Sequence, residues 1–178
     1  MPLSYFRLLA NHNQRMNNDI YDAASRLAEK QLPHNNNKTF TSIISTLNHI
    51  LVSDTIWLKR FSQHPAKLSS LEYVQSLDNP SAPDVVLYED FYELSRIRRL
   101  IDAMIIQFVQ ELSDNLVASP MTYKTVRGEK NTKLFGHLLL HFFNTQTYYR
   151  GRASALFSEV GINIAVSDLL MDIPTLDR

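Results

Sequence analysis

The chain reads as an all-α protein. The expected architecture is a four-helix bundle with a long crossover between helices two and three and a small β-like arm before helix four. Three observations predict it. Four long stretches carry apolar residues at helical spacing. Only four glycines occur among 178 residues, Gly128, Gly136, Gly151 and Gly161, all in the last third. That scarcity disfavours turn-rich β folds and glycine-rich phosphate loops. At this length one domain spanning residues 1–178 is expected, large enough to bury roughly 70% of its unfolded surface.

The first helix is expected from about Ser4 to Lys30, with Phe6, Leu9, Met16, Ile20, Ala24 and Leu27 as its stripe and Asn13 interrupting it. Gln31 to Lys38 holds Pro33 and three successive asparagines, which is turn chemistry. The second helix should start near Thr39 to Thr41 on a hydroxyl cap and run to Phe61. Its stripe is Phe40, Ile43, Ile44, Leu47, Ile50, Leu51, Leu58 and Phe61, and Asp54 falls on it. His64 to Pro83 reads as an irregular crossover with a helical turn at Leu71 to Gln75.

The third helix is expected from Leu87 to Ser113, with Phe91, Leu94, Ile97, Ile101, Ile105, Phe108 and Leu112 inward. Ser119 to Arg127 alternates Met121, Tyr123 and Thr125 with polar neighbours, and reads as a strand or hairpin arm. The fourth helix should begin near Asn131 or Thr132, run to Ser158 and end at Gly161. Its expected inward face is Leu134, Leu138, His141, Thr145, Tyr149, Arg152 and Leu156. Ser167 to Leu170 reads as a last short turn of helix.

Composition narrows the function classes. Eighteen basic and eighteen acidic residues give a net charge of zero, which provides no electrostatic footprint for nucleic acid or an anionic membrane. Absence of cysteine removes disulfides, thiolate metal sites, iron–sulfur clusters and a cysteine nucleophile. No stretch approaches the apolar length of a membrane span or a signal peptide. A cytoplasmic protein without nucleic-acid or membrane partners is therefore the expectation.

The polar residues on the apolar faces are the candidates for chemistry. His49 lies off the main stripe of helix two, beside Val52 and Ile56, on a second apolar side. Asp54 on the stripe needs a partner if buried, and Arg150 or Arg152 would serve. His137 and His141 stand one turn apart, a spacing at which two histidines can grip one ion, although the wheel puts His137 at the edge of the face. Tyr148 and Tyr149 fit ordinary packing, and Thr145 fits a hydroxyl returned to its own helix.

Two stretches carry a family resemblance. Thr46-Leu47-Asn48-His49-Ile50-Leu51-Val52-Ser53-Asp54-Thr55-Ile56-Trp57-Leu58-Lys59-Arg60-Phe61 resembles the second helix of the DinB (DinB/YfiT-like) family, the damage-inducible bundle proteins. His141-Phe142-Phe143-Asn144-Thr145-Gln146-Thr147-Tyr148-Tyr149-Arg150-Gly151-Arg152-Ala153 resembles their fourth. Asn11 to Asp22 resembles the first helix, and Gly161 to Leu170 the family's tail. The resemblance implies a four-helix bundle, commonly a homodimer, with a divalent metal such as zinc or nickel held by three histidines. Carried across, His49 is the first ligand, and the other two positions hold Thr145 and Tyr149. One ligand is kept and two are lost, so the resemblance implies a degenerate triad.

Hydroxyls are poor ligands for such ions at neutral pH, and a zinc-type catalytic site needs about three protein ligands plus an open position. A substitute set would be His49 with His141 and Asp54. The expectation is therefore no metal cofactor, with zinc or nickel as the alternative. Three functions follow. The first is a binding or interaction protein with a pocket lined by His49, Asp54, His141, Thr145, Tyr148 and Tyr149. The second is a metal-dependent enzyme of the thiol-transferase, isomerase or hydrolase kind. The third is a metal-independent enzyme with His49 or His141 as base and Tyr149 as donor. Self-association fits helix two, which is apolar on two sides.

Overall fold

The computed structural model describes residues 2–31, 38–80, 82, 85–125, 127–164 and 168–176, without the side chains of 28–31 and 38–40. The turn expected at Gln31 to Lys38 lies almost wholly outside this set, as do the side chain of Phe40, Pro83 and Ser167.

Four long helices form the bundle: α1 (Leu3–Gln31), α2 (Lys38–Ser62), α4 (Phe91–Gln110) and α6 (Phe135–Glu159). Helix α1 packs along α4 and against α6, and α2 packs along α6. The crossover contains a 3-10 turn, Ser69–Leu71, running into the short helix α3 (Glu72–Ser76), close to the turn read at Leu71 to Gln75. Leu68, Leu71 and Val74 bury their side chains there and fasten the crossover to the bundle. Its far end is held by Asn48 of α2, whose side chain is fully buried. The Asn48 Oδ1 accepts from the backbone N–H of Leu87 and Tyr88 at 2.9 Å each, and Nδ2 donates to the Tyr88 carbonyl at 2.8 Å. This side chain pairs with non-helical backbone, so Leu87 and Tyr88 stay out of the third long helix, where the sequence pattern had placed them. The helix starts instead at Phe91, after Asp90 caps it by accepting from the Glu93 N–H at 2.8 Å. It ends at Gln110, before Ser113 caps a separate turn, α5 (Asp114–Val117).

The arm is a two-stranded antiparallel hairpin, β1 (Pro120–Lys124) with β2 (Lys130–Leu134), in which Thr122 faces Thr132. Gly128 takes φ +84° in the connecting turn, a left-handed conformation that favours glycine. The return strand uses Asn131 to Leu134, which the sequence reading assigned to helix four. Four residues are thereby moved from helix to strand, because strand pairing satisfies backbone that a helix start would leave open.

The largest correction concerns the inward face of α6. The buried row is Phe135, Leu139, Phe142, Gln146, Arg150, Ala153 and Phe157, none more than 5% exposed. Each member follows by one residue the face expected from Leu134, Leu138, His141, Thr145, Tyr149, Arg152 and Leu156. One residue is about 100° of rotation. Leu138 stays buried on the shared edge, whereas Leu134 is 43% exposed and His141 and Arg152 are also exposed. Three phenylalanines bury more apolar area than the competing histidine, threonine and tyrosine, so they take the core.

Candidate functional site

The rotation of α6 divides its polar residues between two places. One is the bundle interior. Arg98 of α4, 1% exposed, lies between two buried carboxylates. Its Nη1 donates to Asp54 Oδ2, and its Nη2 lies 2.8 Å from Asp102 Oδ1. Gln146 of α6 donates to the other Asp54 oxygen at 2.6 Å. Asn13 and Asn17 of α1 donate to Asp102 Oδ1 at 3.3 and 2.9 Å. Arg150 of α6 donates to Asn13 Oδ1 and, at 3.2 Å, to Thr147 Oγ1. All four long helices meet in this network, which explains why Asn13 interrupts the apolar stripe of α1.

Burial pushes the Asp54 carboxyl above its ordinary value, with Arg98 and Gln146 opposing the rise. Burial likewise raises Asp102, to about 6, against the pull of Arg98 and Asn17. For Arg98, burial works to lower the pKa, and the carboxylates of Asp102 and Asp54 outweigh it and raise it. Burial lowers Arg150 to about 10, with Asp54 and Asp102 opposing, so it stays charged at neutral pH. Two carboxylates and two guanidiniums thus share one desolvated space. Asp54 was expected to pair with Arg150 or Arg152. Its direct partner is Arg98, from an element the sequence reading treated as purely apolar, while Arg150 acts on it only through space.

The other place is the seam between α2 and α6. Here the rings of His49 and Tyr149 lie 4.2 Å apart, centroid to centroid. Two turns further along each helix, Trp57 meets His141 edge-on at 5.1 Å. Eight residues separate His49 from Trp57 and eight separate His141 from Tyr149, so the helices pair antiparallel. Thr145 sits midway on α6 and returns its hydroxyl to the His141 carbonyl at 2.9 Å, as its helical position led us to expect. Arg60 lies over both Trp57 and Tyr123 of the hairpin, at 4.6 and 5.2 Å, and Arg152 lies over Tyr149 at 5.5 Å. Burial and the charge of Arg60 lower the His141 pKa, which favours its neutral form. Tyr148 stacks edge-on against Tyr149 but is 62% exposed.

Of the residues singled out from sequence, His49, Thr145, Tyr149 and His141 therefore share the seam, with Tyr148 at its edge. Asp54 belongs to the interior network, and His137 stands apart with Phe6, Asp114 and Leu140 around a surface groove. Arg60, Trp57 and Tyr123 were missed. Their signal was available on the wheel, since Trp57 and Arg60 continue the His49 side of α2.

The donor chemistry at the seam does not fit a three-histidine metal site. His49 is the one imidazole at the implied positions; the Thr145 hydroxyl hydrogen is committed to backbone; and the Tyr149 ring packs tilted against the imidazole. Among the described residues, no group of three or more His, Asp or Glu side chains is placed to hold an ion. No helix among them is long and apolar enough to cross a membrane.

Comparison with curated proteins and with solved structures gives no match. A family model described as the DinB family matches residues 1–174 of the 178, over the same helices whose motifs carry the resemblance and in a bundle of the expected kind. The chain belongs to the DinB family.

Proposed function

We propose that this protein binds a small organic molecule at the seam between α2 and α6 and does so without a resident metal. The observation that carries the reading is the contact of Tyr149 with His49, which puts an aromatic ring where a second imidazole would be required. What remains is a row of π surfaces, Tyr149, Trp57 and Tyr123, with imidazoles among them and guanidiniums at both ends. Flat ligands carrying negative charge suit such a surface, because aromatic faces offer stacking area and arginines offer charge-assisted hydrogen bonds. The reading includes a homodimer, as the resemblance implies, for which light scattering at micromolar concentration is the check.

Trp57 is the only tryptophan in the chain, so its fluorescence reports on the seam directly. Titration with a panel of aromatic carboxylates should change that emission, and His49→Ala or Arg60→Ala should weaken the response. Metal content is measured in parallel, on protein purified without a histidine tag. Stoichiometric zinc or nickel that disappears in His49→Ala would overturn the reading in favour of a metal-dependent enzyme.

A further inference from the structure

A pocket lies on the other side of α6, away from the seam. It is a pocket of about 260 Å³ between α1, α6 and the chain that follows α6, lined by His12, Met16, Ile20, Arg150, Ser154 and Ile164 among others. Its polar end is Arg150, 5% exposed. Among the described residues, two of the five N–H donors that a guanidinium carries have protein acceptors, Asn13 Oδ1 and Thr147 Oγ1. Among the described residues Arg150 makes no ion pair, since Asp54 and Asp102 both engage Arg98 instead. Asp54 and Asp102 balance its charge only through space, so the spare donors of this desolvated guanidinium, facing a pocket, suit a carboxylate that can accept from them directly.

The remaining walls set the kind of anion. Met16, Ile20 and Ile164 are apolar, and the space is at the small end of ligand pockets. His12 forms a fixed part of the rim. Its Nδ1 donates to Asp172 Oδ2 at 2.6 Å, and Asp172 is itself gripped by Arg15 through Nε at 2.8 Å and Nη2 at 2.7 Å. The 3-10 turn Leu169–Asp172, two residues later than the turn read at Ser167 to Leu170, therefore holds one wall in place before any ligand arrives, which lowers the ordering cost of binding.

We propose that this pocket binds a short aliphatic monocarboxylate, its headgroup on Arg150 and its chain against Met16, Ile20 and Ile164. The site is separate from the seam and does not rest on the reading given for it. Met16, Ile20 and Ile164 form the apolar side and His12, Thr147 and Ser154 the polar one, and with a single guanidinium in the lining one carboxylate suits the pocket better than a dianion.

The test is calorimetric titration of the full chain with hexanoate, hexanamide and inorganic phosphate. Hexanoate should bind at one site. Hexanamide, equal in shape but uncharged, should bind about tenfold to a hundredfold more weakly, and phosphate should not displace hexanoate. Ser154→Phe fills the pocket from α6 and should abolish hexanoate binding while circular dichroism and the melting temperature stay near wild type. Absence of hexanoate binding, equal affinity for the amide, displacement by phosphate, or full affinity in a folded Ser154→Phe protein would each overturn the proposal.

Discussion

The ring of Tyr149 rests 4.2 Å from that of His49, across the seam between two antiparallel helices. This contact occupies the place where the family resemblance puts imidazoles converging on an ion. Where the resemblance implies a ligand, the structure shows a packing contact: a phenol ring supplies area and a hydroxyl but no nitrogen lone pair.

That contact predicts what restoring the histidines does. Thr145→His combined with Tyr149→His should create a chain that retains about one zinc per protomer after dialysis, because three imidazoles complete the minimal set. Adding His49→Ala should remove it. Plasma mass spectrometry reads the outcome, and the prediction fails if wild type retains as much zinc as the double variant.

The interior network predicts an asymmetry between removing a charge and removing a polar neighbour. Arg98→Met leaves Asp54 and Asp102 without their cation and should cost about 3–5 kcal/mol in urea unfolding. Gln146→Leu removes one donor from Asp54 and leaves the ion pairs, so about 1–3 kcal/mol is expected. Equal losses would mean that the guanidinium is not the centre of the network.

Gly136 opens α6 directly against α5. A Cβ there would stand 2.6 Å from Val117 Cγ1 and 3.1 Å from the Val117 carbonyl oxygen. Alanine improves helix propensity by up to about 1 kcal/mol, whereas overpacking costs about 1–3 kcal/mol. Gly136→Ala should therefore destabilise by about 1 kcal/mol net, and Val117→Ala in the same chain should recover part of the loss. A thermal melt that rises in Gly136→Ala alone would show that α5 yields freely.

Two carboxylates should titrate in opposite senses. Hydrogen bonds from Arg15, with His12 adding, hold Asp172 down at about 2, below the unfolded value of about 3.9. Its contribution is present above about pH 4 and is lost as pH falls towards 2. Amide exchange at Ile173, whose N–H donates to Leu170, should accelerate over that range, and Asp172→Asn should accelerate it at neutral pH. Asp102 is raised to about 6 by burial, so the fold favours its protonated form. That contribution is full below about pH 4 and fades as pH rises through 6, because the unfolded chain has already released the proton. A carboxyl carbon titration of Asp102 with a midpoint below 4 would contradict this.

The bundle was legible because long amphipathic helices announce themselves by period alone. Helix α1 and the end of α2 fall within a residue of the bounds read from sequence. Element starts that depend on partners were not legible. The start of α4 is set by Asn48, some forty residues away, and the start of α6 by strand pairing with Pro120–Lys124. Arg98 stands seven residues after Phe91 and seven before Ile105, on the apolar stripe of α4, with Asp102 one turn further on, so its burial was readable from the wheel; what the sequence could not give is the second carboxylate, Asp54, which arrives from α2.

By itself the sequence determined the class of fold, the helices and the family, and against the ligand set that the resemblance implies it named His49 as kept and Thr145 and Tyr149 as departures. Only the tertiary structure decided which side of α6 faces inward. Two stripes one residue apart were both compatible with helical spacing, and a wheel cannot rank them. Packing ranks them: Phe135, Phe142 and Phe157 gain more by leaving water than His141, Thr145 and Tyr149 would. With that choice made, Gln146 and Arg150 join Asp54 in the interior, and Thr145 and Tyr149 are left on the seam.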